Sequence, residues 1–250
     1  MDSQSGYQSS IGTIVKRGEL IVGMTGDMPP LNMTTWENKV IGLDVDLANR
    51  IAGALGVKLR VDVMSFSELI PALQAGKVDM VISGMTITPA RNAKVAFAGP
   101  YFESGKALLT KLDTLAKATD PAEINSDRHT FVTLNGSTSQ YFVEEVLPEA
   151  NLVTTTDYEK AVQMVLEDKA QAMVADYPVC LVALLQNPDA GLVSLVTSIT
   201  YEPLGIALPP NDPHLLNLVQ NMIVSLEDSG KLEQMTRRWF DQNDWVSQLR

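Results

Sequence analysis

Cysteine, histidine and long apolar runs are all scarce in this chain, and each scarcity closes off a class of function. The one cysteine, Cys180, cannot form an internal disulfide, so cysteine usage leaves the redox compartment open. The two histidines, His129 and His214, fall in a loop and at a helix start, where surface roles outweigh catalysis. No cluster with metal-ligand spacing and no phosphate-binding loop motif occurs, so neither metal nor cofactor is expected. No apolar run reaches the roughly 18 residues a membrane-spanning helix needs. Basic side chains are also in short supply: 19 against 30 acidic ones leave a net charge of −11. That balance argues against nucleic acid or an anionic membrane as the main partner. The opening MDSQSGYQSS carries no basic and apolar leader. Residues 1–10 therefore read as a flexible tail, of a cytosolic protein or of a mature form given a new Met1.

What the chain does have is an ordinary globular balance, 45% hydrophobic and 20% charged over 250 residues, enough for one large domain or two of usual size. Its most informative stretch is DMVISGMTITPARNAKVAFAGPYF, residues 79–102. Asp79 to Ser83 is a short apolar run of β-formers bounded by Gly84, as a strand covered on both faces would be. Thr88 and Pro89 read as the N-cap and first position of a helix. Arg91 then falls in the first turn, where a cation opposes the helix dipole and calls for a compensating anion. A guanidinium grips a carboxylate bidentately, and the Thr86 hydroxyl, Ser83 and the backbone around Gly84 could add further bonds. A surface arginine paired with a nearby acid is the alternative.

Around this stretch strands and helices alternate. Ile11 to Gly18 reads as a helix, Glu19 to Met24 as a strand, and Gly26 to Pro30 as a loop at its end. Trp36 to Lys39 looks like a turn, with Trp36 either packing a hairpin or lining a pocket mouth. Asp44 is taken as the start of a helix with Val45, Ala48, Ile51, Ala52 and Leu55 inward, stopped by Gly56. Val57 to Val63 alternates as a strand, and Ser65 with Glu68 has capping-box spacing. Further on, Gly105 to Thr110 is extended, Lys111 to Arg128 irregular with some helix, and Phe131 to Leu134 a strand leading into NGSTSQ. Thr156 and Glu159 suggest a second capping box. Ala172 to Ala175 is a strand ending on Asp176, Leu192 to Val196 another, and Tyr201 to Leu208 runs extended before two final helices. This βαβα order favours parallel sheets with flanking helices.

Residues 42–102, together with NGSTSQYF, AMVAD and the terminal SLEDSGKLEQMTRRWF, resemble the family-3 extracytoplasmic solute-binding proteins of amino-acid ABC transporters. The resemblance implies an α/β periplasmic-binding-protein fold of type II: two lobes, each a mostly parallel sheet flanked by helices, joined by two crossover hinge segments. Lobe one would take residues 11–105 and 203–250, and lobe two residues 106–202. It implies further that the protein is periplasmic or extracytoplasmic, its signal segment removed, and that as a monomer it captures an amino acid for a membrane permease. By the same resemblance Arg91 pairs with the ligand's α-carboxylate, assisted by Gly84 and Thr86 and, from lobe two, by Ser137 and Thr138. Asp176 holds the α-ammonium, and Phe66 lies against the ligand. Each has a plainer reading: Ser137 or Thr138 as N-cap, Asp176 as helix cap, Phe66 as core. Met28 stands where relatives often carry an aromatic residue. Thr25 stands where binders of basic side chains tend to have an acid, so a neutral amino acid is expected. Cyclohexadienyl dehydratases resemble the same family, but they place an acidic residue where this chain has Val179 and Cys180, neither suited to that proton transfer. A ligand-sensing input domain of the same shape is a third possibility.

Overall fold

The computed structural model describes residues 9–118, 120–194, 200–242 and 244–249, so most of the tail lies outside the described residues. Helix α1 (Ser10–Arg17) is capped by the Ser9 hydroxyl and feeds β1 (Glu19–Met24), whose apolar residues are almost wholly buried. Three short strands follow, β2 (Asp27–Met28), β3 (Asn32–Thr34) and β4 (Val40–Ile41), pairing as an antiparallel meander. The Trp36 turn joins β3 to β4, and its indole is 62% exposed.

Helix α2 (Leu43–Leu55) begins one residue before Asp44, with Gly42 as its cap. Asp44, the expected start, thus stands within one residue of the observed one. It sits fully buried in the first turn, because its carboxylate is drawn inward by three protein donors. Strand β5 (Lys58–Val63) and helix α3 (Phe66–Gln74) come next, with the Ser65–Glu68 capping box in place. Strand β6 (Met80–Val81) pairs over less of the Asp79–Ser83 run than its apolar character suggests. Helix α4 (Pro89–Asn92) is a single turn whose Arg91 N–H is received by the Thr88 hydroxyl. Strand β7 (Ala96–Ser104) closes the first half.

Gly105 alone separates β7 from β8 (Lys106–Thr110), which belongs to a second sheet. The irregular segment beyond holds α5 (Asp113–Ala116) and one 3-10 turn at Pro121–Glu123; Thr119 lies outside the described residues. Then follow β9 (Thr130–Leu134), α6 (Thr138–Val146), β10 (Asn151–Thr155), α7 (Tyr158–Leu166), β11 (Ala172–Asp176), α8 (Tyr177–Gln186) and β12 (Val193–Ser194). The second capping box does not form. Asp157, one residue past Thr156, accepts the Lys160 N–H at 2.9 Å, and an ionised acceptor at a helix N-terminus outcompetes a hydroxyl. Of the strand expected over 192–196, residues 195 and 196 lie outside the described residues. The chain returns through β13 (Glu202–Leu208) and ends in α9 (Pro213–Asp228) and α10 (Lys231–Phe240).

The two five-stranded sheets run β5-β1-β6-β13-β7 and β10-β9-β11-β8-β12. In each, the three strands linked through helices are parallel, and the two that carry the chain between sheets pair antiparallel. A strand arriving from the other sheet needs no right-handed crossover helix, so it is free to enter the edge of a parallel core from the opposite direction. The product is an α/β molecule of two sheet-rich lobes, and the C-terminal ends of both parallel cores face the region between them.

Candidate functional site

Gly84 and Thr86 follow the end of β6 and build one wall of that region. Gly84 adopts φ +54°, and a Cβ there would lie 2.2 Å from the Met28 sulfur and 2.9 Å from a Leu31 methyl, so only glycine lets the chain turn this tightly. Its N–H donates to Asp44 Oδ2 at 3.1 Å, and Tyr101 donates its hydroxyl to Asp44 Oδ1 at 2.7 Å. Burial pushes the Asp44 carboxyl up to about 6, against the pull of hydrogen bonds from Tyr101, Asn32 and Gly84. Ser83 and Thr25 belong to the same buried web: Thr25 N–H donates to Ser83 Oγ at 3.0 Å and Thr25 Oγ1 to Asn32 Oδ1 at 3.0 Å. These two expected site residues thus stiffen the wall from behind, and Met28, 1% exposed, fills the space over Gly84.

Arg91 reaches from α4 into the region between the lobes and is 8% exposed. Its Nη1 donates to the Thr86 carbonyl at 2.9 Å, and its Nη2 crosses to the Gly136 carbonyl of the second lobe at 3.1 Å. The guanidinium lies 5.2 Å from the Phe66 ring centroid, so Phe66 supports the arginine as a cation–π face. Burial pulls the guanidinium pKa down, and the nearby Asp176 and Glu202 carboxylates counteract it.

On the opposite wall Ser137 is the N-cap of α6, accepting the Gln140 N–H at 3.2 Å, so its plainer reading is realised here. Thr138 Oγ1 lies 3.4 Å from Thr86 Oγ1 and donates to Glu202 Oε2 at 3.0 Å. Asp176 is the N-cap of α8 but makes no side-chain capping bond. Its Oδ1 instead accepts from Lys106 Nζ at 2.6 Å, and Glu202 Oε2 stands 3.6 Å from the same nitrogen. Burial works to raise the Glu202 carboxyl, but Lys106 and the Thr86, Thr200 and Thr138 hydroxyls outweigh it and hold it below the usual range. The cluster therefore sets two cations, Arg91 and Lys106, against two carboxylates, Asp176 and Glu202, all buried.

Lys106 and Glu202 escaped the sequence reading, although a trace of each was present. Each is the lone charge at the head of an otherwise uncharged strand, KALLT and EPLGIAL, at a point where the chain changes sheets. Asp27 was also missed. Its Oδ2 accepts the Tyr158 N–H at 2.8 Å, joining β2 to the N-terminus of α7 in the other lobe, while Oδ1 is buried without a hydrogen-bond partner among the described residues. Burial raises the Asp27 carboxyl. A cavity of about 890 Å³ opens beside Asp27 and Tyr158, lined further by Thr34, Val162, Val179 and Ala183; Arg91 and Asp176 do not line it. Val179 and Cys180 are buried in α8, and burial pushes the thiol up to about 12.

Among the described residues no group of histidine, cysteine and acidic side chains could hold a metal ion, and no helix is long and apolar enough to cross a membrane. The model of the bacterial extracellular solute-binding proteins, family 3, matches residues 20–242. ABC transporter arginine-binding protein 1 of Escherichia coli is 29% identical over 88% of this chain and 90% of its own. A cyclohexadienyl dehydratase of Pseudomonas aeruginosa is 26% identical over 96% and 89%. A binding component of an ABC transporter from Wolinella succinogenes, solved with lysine, superposes with a TM-score of 0.87 at 36% identity over 92% of this chain and 99% of that one.

Proposed function

Since the chain belongs to the bacterial extracellular solute-binding proteins of family 3, we propose that it captures an amino acid between its lobes and delivers it to an ABC-transporter permease. It would do so outside the cytoplasm and as a monomer, with residues 106–202 forming the second lobe. The observation that carries this reading is Arg91, a buried guanidinium that spans the two lobes and faces the Asp176–Glu202 carboxylates across the cleft. A head group with opposite charges needs an anion seat and a cation seat within a few ångströms. In this reading the ligand carboxylate takes the Gly136 carbonyl's place on Arg91, with Thr86 and Thr138 donating to it, and the ammonium turns toward Asp176 and Glu202. Such contacts exist only when both lobes are near, so binding favours the closed state.

The side chain of the ligand has two supported readings. Thr25, tied into the buried web, offers no charge and favours a neutral amino acid. Asp27 favours a basic one, because its buried Oδ1 has no hydrogen-bond partner among the described residues, and the Escherichia coli relative is named for arginine. Mass spectrometry of ligand released from freshly purified, denatured protein, followed by calorimetry with L-glutamine, L-arginine and L-lysine, decides between them. Recovery of no amino acid and no heat with any proteinogenic one would overturn the transport reading.

We assign no catalytic step. The position that resemblance to the dehydratases makes critical is held by Val179 and Cys180, and a thiol at about 12 is a poor proton donor to an expelled hydroxide. Incubation with prephenate or arogenate is expected to give no aromatic product.

A further inference from the structure

We propose that Lys106 occupies the cation seat of Asp176 and thereby sets how strongly the site prefers an amino acid over the keto or hydroxy acid with the same side chain. The inference rests on the reading that a carboxylate head group binds at Arg91.

Lys106 is 1% exposed, Asp176 3% and Glu202 6%, so all three charges are out of water. Two buried carboxylates that close together demand a cation, since an uncompensated buried charge is severely destabilising. The chain supplies one itself. Lys106 and Asp176 are direct partners in the antiparallel ladder between β8 and β11, and the adjacent Tyr177 N–H donates to the Gly105 carbonyl at 2.8 Å. The backbone thus aims the ammonium at the carboxylate, and a register slip cannot carry it away.

An incoming α-ammonium then meets a seat whose two negative charges are already half neutralised, and it lies against a like charge. Both effects weaken its hold. A ligand with a carbonyl or hydroxyl at the α-carbon suffers neither penalty. An ammonium carries three N–H donors; here one goes to Asp176, and the 3.6 Å approach to Glu202 is loose enough to leave donor capacity for an acceptor on the ligand. The site is consequently less strict about the α-amino group than its two carboxylates alone would make it.

The test is calorimetry on the full chain with matched probes, L-alanine against pyruvate and L-lactate, L-phenylalanine against phenylpyruvate, and any amino acid recovered with the protein against its keto acid. In the wild type the amino acid should be preferred by no more than about a hundredfold, and Lys106→Gln should widen that preference by about tenfold or more. A merely structural lysine would alter affinity for every probe alike and leave the ratio fixed, and a fixed ratio overturns the inference. If Lys106→Gln fails to fold, the wild-type ratio decides: a preference above about a hundredfold refutes the proposal. Wild-type protein that binds none of these acids overturns the head-group reading, and this inference with it.

Discussion

Arg91 and Gly136 are joined across the cleft by one hydrogen bond, from guanidinium Nη2 to carbonyl oxygen at 3.1 Å, and each lies on a different lobe. The bond is available only when the lobes are close, and a ligand carboxylate would replace it with a stronger, charge-assisted pair. Arg91→Ala is therefore expected to weaken ligand binding by about 3–5 kcal/mol, roughly two to four decades in affinity. Arg91→Lys keeps the charge but loses the planar fork, and should recover only part of the loss. Titration calorimetry with the recovered ligand checks both, and unchanged affinity in Arg91→Ala removes this residue from the site.

Asp44 predicts a pH dependence of stability whose sign follows from its burial. Its carboxyl is raised to about 6 in the folded protein from an ordinary value of 3.8, so folding is favoured while the group is protonated in both states and is disfavoured once the folded group must ionise. The contribution is fully present below about pH 4 and is lost as pH rises through about 6; its size is about 3 kcal/mol. Asp44→Asn should flatten this part of the profile. Urea unfolding at pH 4.5 and pH 7 measures it, and an identical pH difference in wild type and variant would show that Asp44 is not the group responsible.

Gly84→Ala tests the turn that carries Thr86. The substitution forces a side chain into φ +54° and against the Met28 sulfur at 2.2 Å. The backbone term costs about 1–2 kcal/mol, and the clash adds to it. In the Met28→Ala background the clash with Met28 is relieved while the backbone cost and the Leu31 contact remain, so Gly84→Ala should lower the melting temperature less there than in the wild type. Strict additivity of the two single changes in thermal denaturation would mean that Met28 and Gly84 are not in contact.

Much of this arrangement was legible in the sequence because it is local. Thr88 and Pro89 announce the turn that aims Arg91, the Ser65–Glu68 spacing announces α3, and NGSTSQ announces the start of α6. Propensity and capping act over a few residues, so they show themselves in order along the chain. What stayed hidden is what the chain brings together from afar. Lys106 and Asp176 are 70 residues apart, Thr138 and Glu202 64, and Asp27 and Tyr158 131. No spacing rule connects them, and the ladder register that places Lys106 opposite Asp176 is decided by two strands that arrive from different directions. The burial of Asp44 stayed hidden for a related reason. An acid at the start of an apolar periodic run marks the helix, but not the three donors from other elements that turn it inward.

Asp27 offers a way to separate closure from side-chain recognition. Its Oδ2 accepts the Tyr158 N–H at the start of α7, so it bridges the lobes, while Oδ1 is buried beside the 890 Å³ cavity without a hydrogen-bond partner among the described residues. Asp27→Asn retains an oxygen for the Tyr158 N–H but carries no charge; Asp27→Ala removes both. If the bridge alone matters, Asn should bind every amino acid about as well as wild type, and Ala should weaken all of them by about 1 kcal/mol, the worth of one hydrogen bond. If the charge serves a basic ligand, Asn should lose about tenfold or more for L-arginine and L-lysine and nothing for L-glutamine. Calorimetry with these three ligands on both variants distinguishes the cases. Equal binding of all three by wild type, Asn and Ala would exclude Asp27 from closure and recognition alike, leaving its buried carboxyl as a cost to folding with no return in binding.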